Sequence, residues 1–339
     1  MHPFPLSVLD LAPVGRGSTP AQALRNSTHL VREAERLGYR RHWVAEHHNM
    51  PGIASSSPPV LLAHLAAVTS TIRVGSGGLM LPNHAPLAVA EQFGMLEALH
   101  PGRVDLGIGR APGTDPVTAQ ALRRAPGPPT ADDFPEQLGE LLAYFAGAFP
   151  EGHPYAQITA VPARGYQPEI WLLGSSTYSA HAAGVLGMPF SFASHFAPAA
   201  LADALDTYRA SFRPTDQLAA PYVMLGVSVL VAESGERARW LAAPGALAFL
   251  RLRTGRPDVY PTPEEAAEYH YTPFEREIVN DRMKSQFIGD PASVRRALED
   301  FVAATGADEL IVTTMTHAHD DRVESYRLLA HEFSVRSHA

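Results

Sequence analysis

The sequence contains no cysteine among its 339 residues. Disulfides, zinc thiolates, iron–sulfur clusters and cysteine nucleophiles are therefore excluded. The sequence also has no run of about 18 consecutive apolar residues, so it predicts no transmembrane helix. Residues 1–5 carry no cationic segment followed by a long apolar run, and we expect no signal peptide.

Basic residues are also in deficit. The chain has 27 lysine and arginine residues against 35 aspartate and glutamate residues, which gives a net charge of −8. A nucleic-acid-binding protein usually shows a basic patch, and a protein that binds an anionic membrane surface carries a polybasic segment. We therefore expect a cytoplasmic protein that binds neither nucleic acid nor a membrane.

The sequence does have a regular alternation of short apolar runs with longer amphipathic stretches. Strands that alternate with helices predict a parallel sheet with right-handed crossovers. Eight such units in one chain favour a closed (β/α)8 TIM barrel, of class α/β, over an open sheet, and we expect one domain over residues 1–339. The predicted strands are 6–11, 42–46, 72–81, 104–109, 169–173, 189–193, 222–232 and 309–314.

Two irregular stretches interrupt this alternation. Residues 111–129 follow the fourth strand, and residues 255–285 follow the helix after the seventh; both are rich in proline and we interpret both as loops. Long loops within a compact domain are often lids or binding loops. Residues 255–285 are our candidate for a mobile lid, although composition alone is equally consistent with a disordered surface segment.

Chemistry in a barrel of this kind is expected at the carboxyl ends of the strands. The second strand ends at Glu46, His47 and His48, where two imidazoles and a carboxylate could ligate a metal or act as an acid–base pair. A histidine there could also cap a loop or pack. In the third strand, Gly77 and Gly78 indicate close approach of a flat ligand, an unusual peptide geometry or a bulge.

Two other strand ends indicate an anion site. Arg110 ends the fourth strand and could present a bidentate fork to phosphate. Ser175 and Ser176 begin the helix after the fifth strand, where backbone N–H groups and hydroxyls can hold an anion. Both features also have ordinary explanations, a salt bridge at the barrel rim and a helix cap. Because these strands are neighbours in the predicted barrel, both could reach one phosphate.

Taken in order and at their spacing, these segments resemble the bacterial-luciferase-like flavin monooxygenases, and most of all the MsnO-type branch. The resemblance spans nearly the whole chain, and no single motif carries it alone. The segments are residues 46–48, 74–82, 107–110, 174–176, and 288–291 leading to 309–312.

The resemblance implies a role for each residue. His47 matches the catalytic histidine near the flavin. Gly77 and Gly78 match a pair joined by a non-prolyl cis peptide against the isoalloxazine ring, with Leu79 beside them. Light emission is not implied, because Gly109 stands where luciferase has a reactive cysteine. Arg110 and the hydroxyls of Ser175, Ser176 and Ser179 match the flavin phosphate site.

The activity implied is that of an FMN-dependent monooxygenase. An NAD(P)H:flavin reductase would supply reduced FMN, and oxygen would be transferred to a small organic substrate through a flavin C4a-peroxide. His47 would assist proton transfer, with Glu46 or His48 orienting it. A homodimer through the helices at 59–70 and 86–99 is expected from the family.

Three alternatives remain open from sequence. An F420-dependent oxidoreductase of the same superfamily would move hydride and ignore oxygen. A metal-dependent barrel hydrolase could use His47, His48 and the histidines of residues 317–321, but it would need a His-x-His pair on the first strand, which residues 6–11 lack; we expect no metal. A non-catalytic flavin-binding subunit is the third, and His47 and Arg110 count against it.

Overall fold

The computed structural model describes residues 4–111, 113–123 and 133–333. Eight parallel strands close into a barrel in chain order, because the last of them pairs with the first. The predicted single TIM barrel is confirmed. The barrel strands are β1 (Leu6–Asp10), β2 (Arg41–Val44), β3 (Arg73–Met80), β4 (Val104–Gly109), β5 (Glu169–Gly174), β6 (Phe190–Phe192), β7 (Val223–Val231) and β9 (Glu309–Thr313).

Helices surround the barrel, and most begin where the sequence provides a start signal. Thr19 caps α1 by accepting a hydrogen bond from the Gln22 backbone N at 3.2 Å. Proline occupies the first turn of many of them, where its missing N–H is not needed. The helices are α1 (Pro20–Arg36), α2 (Pro58–Ala67), α3 (Pro86–Leu99), α4 (Pro116–Arg123), α5 (Phe134–Ala146), α6 (Thr177–Leu186), α7 (Leu201–Ser211), α8 (Gly235–Arg253), α9 (Pro263–Glu268), α10 (Pro273–Lys284), α11 (Pro291–Thr305) and α12 (His319–Glu332).

Both stretches predicted as loops contain helices. The stretch 111–129 includes α4, and its residues 124–129 lie outside the described part of the chain. The stretch 255–285 includes α9 and α10, each started by a capping box, from Thr262 and from Thr272. The pattern of threonine followed by glutamate three residues later signals such a start. The prediction failed because α10 buries none of its side chains, so it shows no apolar stripe.

A ninth strand, β8 (Gln286–Gly289), was not predicted. It pairs in parallel with residues 228–231 of β7, beyond the part of β7 that pairs with β6. Four residues of which only Gly289 is buried give no alternation of apolar and polar positions. The strand joins α10 to the carboxyl end of the barrel.

Charged side chains fill the amino-terminal end of the barrel interior. The Arg41 side chain, 1% exposed, pairs with Asp105 at 2.8 Å and with Glu309 at 3.2 Å, and both carboxylates are fully buried. The Tyr222 hydroxyl donates to Glu309 at 2.9 Å, and the Arg41 guanidinium lies 4.7 Å from the Trp171 ring centroid. Each buried charge thus has a partner of opposite sign.

An apolar layer lies above this charged end. Trp43 links the two layers, because its indole N–H donates to Asp105 at 2.8 Å. The layer fills the middle of the barrel, and in the described part of the chain the open cavity of the barrel lies towards the carboxyl ends of the strands. Its members are Leu9, Trp43, Ala45, Trp171, Met224 and Ile311.

The outward faces of the strands pack against the helices. Strand β4 is buried at all six positions, as expected for a parallel sheet covered on both faces. Among the described helices, none is long and apolar enough to cross a membrane.

Replacing Arg41 with methionine should lower the free energy of unfolding by about 3–5 kcal/mol, because the buried Asp105 would keep only Arg73 as a counter-ion and the buried Glu309 only Arg40, at 3.8 Å. Urea unfolding measures this change. Arg36→Ala is the control, since Arg36 is 59% exposed and pairs with Glu33 on the surface; it should cost less than about 1 kcal/mol. Similar losses in the two variants would contradict a stabilising role for the buried charges.

Candidate functional site

A cavity of about 920 Å³ opens at the carboxyl ends of the barrel strands. Its walls come from the loops after the strands, from α8 and from residues 255–288. Seven of the eight residues proposed from sequence line it, although they come from four separate segments of the chain. These are His47, Gly77, Gly78, Arg110, Ser175, Ser176 and Ser179.

Leu79 is the exception. Its side chain is fully buried in the hydrophobic core that packs the barrel against its helices, and it does not line the cavity. The pairing of β3 with β4 shifts register between Gly77 and Leu79, so the sequence alone could not show which way Leu79 points. Its side chain is therefore removed from the candidate site.

The cavity floor includes bare backbone at Gly77 and Gly78, and the peptide bond between them is cis. A Cβ atom at Gly77 would lie 2.7 Å from Leu9 Cδ1 and 3.1 Å from the Trp43 ring. One at Gly78 would lie 3.0 Å from Leu173 Cδ2. A side chain at either position would press on the residues packed below, and the bare backbone leaves space for a planar ligand to approach.

His47 presents a neutral imidazole to the cavity. The side chain is half-buried, and burial lowers the pKa of His47 although a hydrogen bond with the Gly113 backbone opposes the shift. Its Nδ1 is buried and has no hydrogen-bond partner among the described residues. A neutral imidazole with a free nitrogen can hold or accept a proton.

Glu46 does not support His47 directly, contrary to one sequence expectation. Its fully buried carboxylate accepts hydrogen bonds of 2.9 Å from His48 Nε2, His84 Nε2 and the Met80 backbone N. Burial alone would raise the pKa of Glu46, but these bonds outweigh it and the pKa is lowered. Glu46 therefore fastens the loop after β2 to the segment after β3. Among the described residues, Glu46 and His48 influence the His47 ring through their charges and make no hydrogen bond with it.

Arg110 and the amino end of α6 meet at the cavity wall. The Arg110 guanidinium lies 4.2 Å from the Tyr178 ring centroid, and no carboxylate among the described residues pairs with it. Ser176 stands at the N-cap of α6, yet its side chain makes no capping hydrogen bond. Among the described residues, the first N–H groups of the helix thus have no capping hydrogen bond from a side chain. A cation beside such a helix end suits a phosphate.

Sequence reasoning assigned no role to two polar residues of the cavity wall, His195 and Arg282. His195 follows β6 and is only 5% exposed, and burial lowers the pKa of His195 to about 4. Arg282 of α10 donates a hydrogen bond to the His195 backbone O. The strand-end rule that selected His47 also applies to His195. Nothing local marks Arg282, because it lies in a stretch without visible periodicity.

Among the described residues, no group of three or more histidine, aspartate or glutamate side chains is arranged to hold a metal ion. His319, one candidate ligand from sequence, instead contacts His29, with ring nitrogens 2.8 Å apart.

Comparison with known proteins identifies the family. A family model described as luciferase-like monooxygenase matches residues 4–309. The uncharacterized protein YvbT of Bacillus subtilis (strain 168) is 50% identical over 325 residues, which cover 96% of this chain and 95% of that protein. A luciferase-like monooxygenase of Escherichia coli (strain K12) is 44% identical over 322 residues, 95% of each chain. The crystal structure of apo-MsnO8 matches with a TM-score of 0.89 at 40% identity, over 98% of this chain and 99% of that one. The chain belongs to the luciferase-like monooxygenase family.

The buried His195 should make stability depend on pH. Its pKa falls from 6.5 to about 4 on folding, so between these values the unfolded chain binds a proton that the folded chain does not. Stability should therefore decrease as the pH falls through this window and level off below it. Relative to His195→Gln, the wild-type protein should lose up to about 3 kcal/mol, since one pKa unit corresponds to about 1.4 kcal/mol.

Urea unfolding of both proteins from pH 7 to about pH 4 measures this difference, in which the contributions of other titrating groups cancel. Parallel stability curves for the two proteins would show that His195 is not held neutral by burial.

Proposed function

We propose that this member of the luciferase-like monooxygenase family uses reduced FMN and O2 to insert one oxygen atom into a small organic substrate. One observation carries the proposal: a single cavity combines bare backbone at Gly77 and Gly78, the neutral His47, and the cation of Arg110 beside the amino end of α6. These are the three features that a flat, redox-active ring with a phosphate tail requires.

The residues present fit FMN in size and chemistry. A cavity of about 920 Å³ lies within the range of small-molecule and cofactor pockets. Gly77 and Gly78 would support the ring. Arg110 and the hydroxyls of Ser175, Ser176 and Ser179 would hold the phosphate, and Arg110 has no competing carboxylate among the described residues.

Reduced FMN, when bound, would supply the electrons that activate oxygen. The chain's part is to bind, to exclude water and to manage protons. His47 would hold or transfer a proton on its imidazole, because its lowered pKa keeps the ring neutral. Apolar side chains such as Phe196, Phe249 and Leu252 would exclude water.

The alternative cofactor is F420. The oxygenating constituent of 3,6-diketocamphane monooxygenase from Pseudomonas putida, solved with FMN, has a TM-score of 0.72 at 20% identity. An F420-dependent secondary alcohol dehydrogenase has a TM-score of 0.67 at 16% identity. Likeness at this level concerns the fold alone, so it does not choose between the cofactors. We favour FMN because the closer E. coli relative is named a monooxygenase; absorption spectra after mixing with each cofactor test the choice.

We also propose a mobile lid over residues 255–285. Asp258, Tyr260 and Arg282 from this stretch line the cavity. The Arg16–Asp258 ion pair at 2.7 Å and the Tyr260 hydroxyl, which donates to the Met315 backbone O at 3.0 Å, hold its first part to the barrel. We expect the motion to concentrate in α10, because α10 buries none of its side chains, although Arg282 ties it to the His195 backbone O. Slower hydrogen exchange of α10 with FMN bound would reveal this motion.

Two associations complete the proposal. An NAD(P)H:flavin reductase would supply reduced FMN. A homodimer would form through α2 and α3, where Val60, Met95 and Leu99 are 71%, 54% and 66% exposed. Light scattering should give the mass of two chains.

His47→Ala should lower oxygenation by about 10²–10⁴-fold, the usual contribution of a positioned acid–base group. The assay oxidises reduced FMN on the protein in the presence of a metabolite mixture and follows products that gain one oxygen atom by mass spectrometry. His64→Ala is the control, because His64 is exposed on α2 and does not line the cavity. Full turnover in His47→Ala would remove His47 from the reaction.

Arg110→Ala should weaken FMN binding by about 1.5–3 kcal/mol, the scale of a hydrogen bond to a charged group. Fluorescence titration of FMN gives the dissociation constant. Arg237→Ala is the matched control, since Arg237 pairs with Asp321 at 3.0 Å and does not line the cavity. If both variants bind FMN as the wild-type protein does, Arg110 is not at the phosphate.

A further inference from the structure

The flavin site proposed above leaves one cation of the cavity wall unused, that of Arg282. Its half-buried side chain donates to the His195 backbone O and makes no other hydrogen bond with the described residues. Its Cζ lies 5.2 Å from the Phe249 ring centroid and 5.8 Å from that of Phe196. Because a guanidinium has five N–H donors, most of those of Arg282 remain available to a ligand.

No described carboxylate neutralises Arg282. Asp115 and Asp258 are the carboxylates of the described cavity wall, and both are engaged elsewhere. Asp258 pairs with Arg16 at 2.7 Å, and Asp115 accepts hydrogen bonds from Thr118 at 2.6 Å and from Asn49 at 3.1 Å.

The charge of Arg282 is nevertheless kept. Burial lowers the pKa of Arg282, but an arginine stays protonated in a protein. A half-buried cation without a counter-ion is costly, so a ligand that brings a negative charge is favoured there.

Arg282 and Arg110 stand in different surroundings. Arg110 lies over Tyr178, beside the hydroxyls and helix end that suit a phosphate. Arg282 lies among aromatic rings, next to His195, which is neutral because burial lowers its pKa to about 4. The two arginines share none of these contacts. One suits a multiply charged, hydrogen-bonding group, and the other suits a single anionic group attached to an apolar body.

We propose that Arg282 binds an anionic group of the substrate, so that the substrate is an organic anion, a carboxylate or sulfonate, with an apolar body. The apolar body would lie against Phe249 and Phe196, and Arg282 would discriminate against uncharged analogues. This inference deepens the proposed function and rests on it for the reaction, but the binding of the anion can be measured without flavin.

The test compares octanoate and octane-1-sulfonate with octan-1-ol, which has the same chain length and no charge. Trp43 lines the cavity, so its fluorescence reports binding. Each ligand is titrated into the wild-type protein and into Arg282→Gln, with and without oxidised FMN. The wild-type protein should bind the anions about 10–100-fold more tightly than the alcohol, as expected for a charge-assisted hydrogen bond. Arg282→Gln should lose this preference and keep its affinity for octan-1-ol.

Two further variants separate charge from folding and from the flavin site. Arg282→Lys retains the positive charge and should restore part of the preference for the anions. Arg110→Ala should bind FMN more weakly but keep the full preference for octanoate. Equal affinity of Arg282→Gln and the wild-type protein for octan-1-ol shows that the cavity of the variant is intact.

The inference is overturned if the wild-type protein does not prefer the anions, or if Arg282→Gln prefers them as strongly as the wild-type protein does. It is also overturned if Arg282→Gln weakens FMN binding as much as Arg110→Ala, because Arg282 would then belong to the phosphate site. If FMN fails to bind while the Arg282-dependent preference persists, the proposed function fails and the anion site stands.

Discussion

The buried guanidinium of Arg41 is the interaction on which the rest of the barrel depends. It joins β2 to Asp105 of β4 at 2.8 Å, to Glu169 of β5 at 3.3 Å and to Glu309 of β9 at 3.2 Å. These strands are distant in sequence and meet only when the barrel is closed. Because an unpaired buried charge costs several kcal/mol, any arrangement that separates these strands is strongly disfavoured. The ion cluster thus couples barrel closure to the register of its strands.

The position of the cavity follows from this cluster. Asp105 also accepts the hydrogen bond of Trp43 at 2.8 Å, which fixes the indole ring above the charged end of the barrel. Trp43 and Leu9 then occupy the space where a Cβ atom of Gly77 would lie. Bare backbone at the cavity floor is therefore a consequence of packing below it. The same contacts leave the carboxyl ends of the strands as the place for a ligand.

The arginines of this protein differ in what neutralises them. Arg41 is surrounded by carboxylates and has no capacity for a ligand. Arg110 and Arg282 line the cavity and pair with no described carboxylate. Arg41 is therefore a structural cation, whereas Arg110 and Arg282 are free to pair with the anionic groups that we propose for them. This contrast also divides the cavity into a proposed phosphate end at α6 and a proposed substrate end at α10, with His47 in the wall of the same cavity.

The sequence by itself determined the eight barrel strands, most helix starts and the strand ends that bear His47, Arg110 and Ser176. These features depend on local patterns: apolar runs, proline or threonine at helix starts, and the rule that parallel strands end on one face. Only the tertiary structure decided that Glu46 binds His48 and His84, that Leu79 points into the core, and that Arg282 reaches the cavity. Each of these depends on contacts between residues of separate elements or on the direction of one side chain, and neither leaves a periodic signal in the sequence.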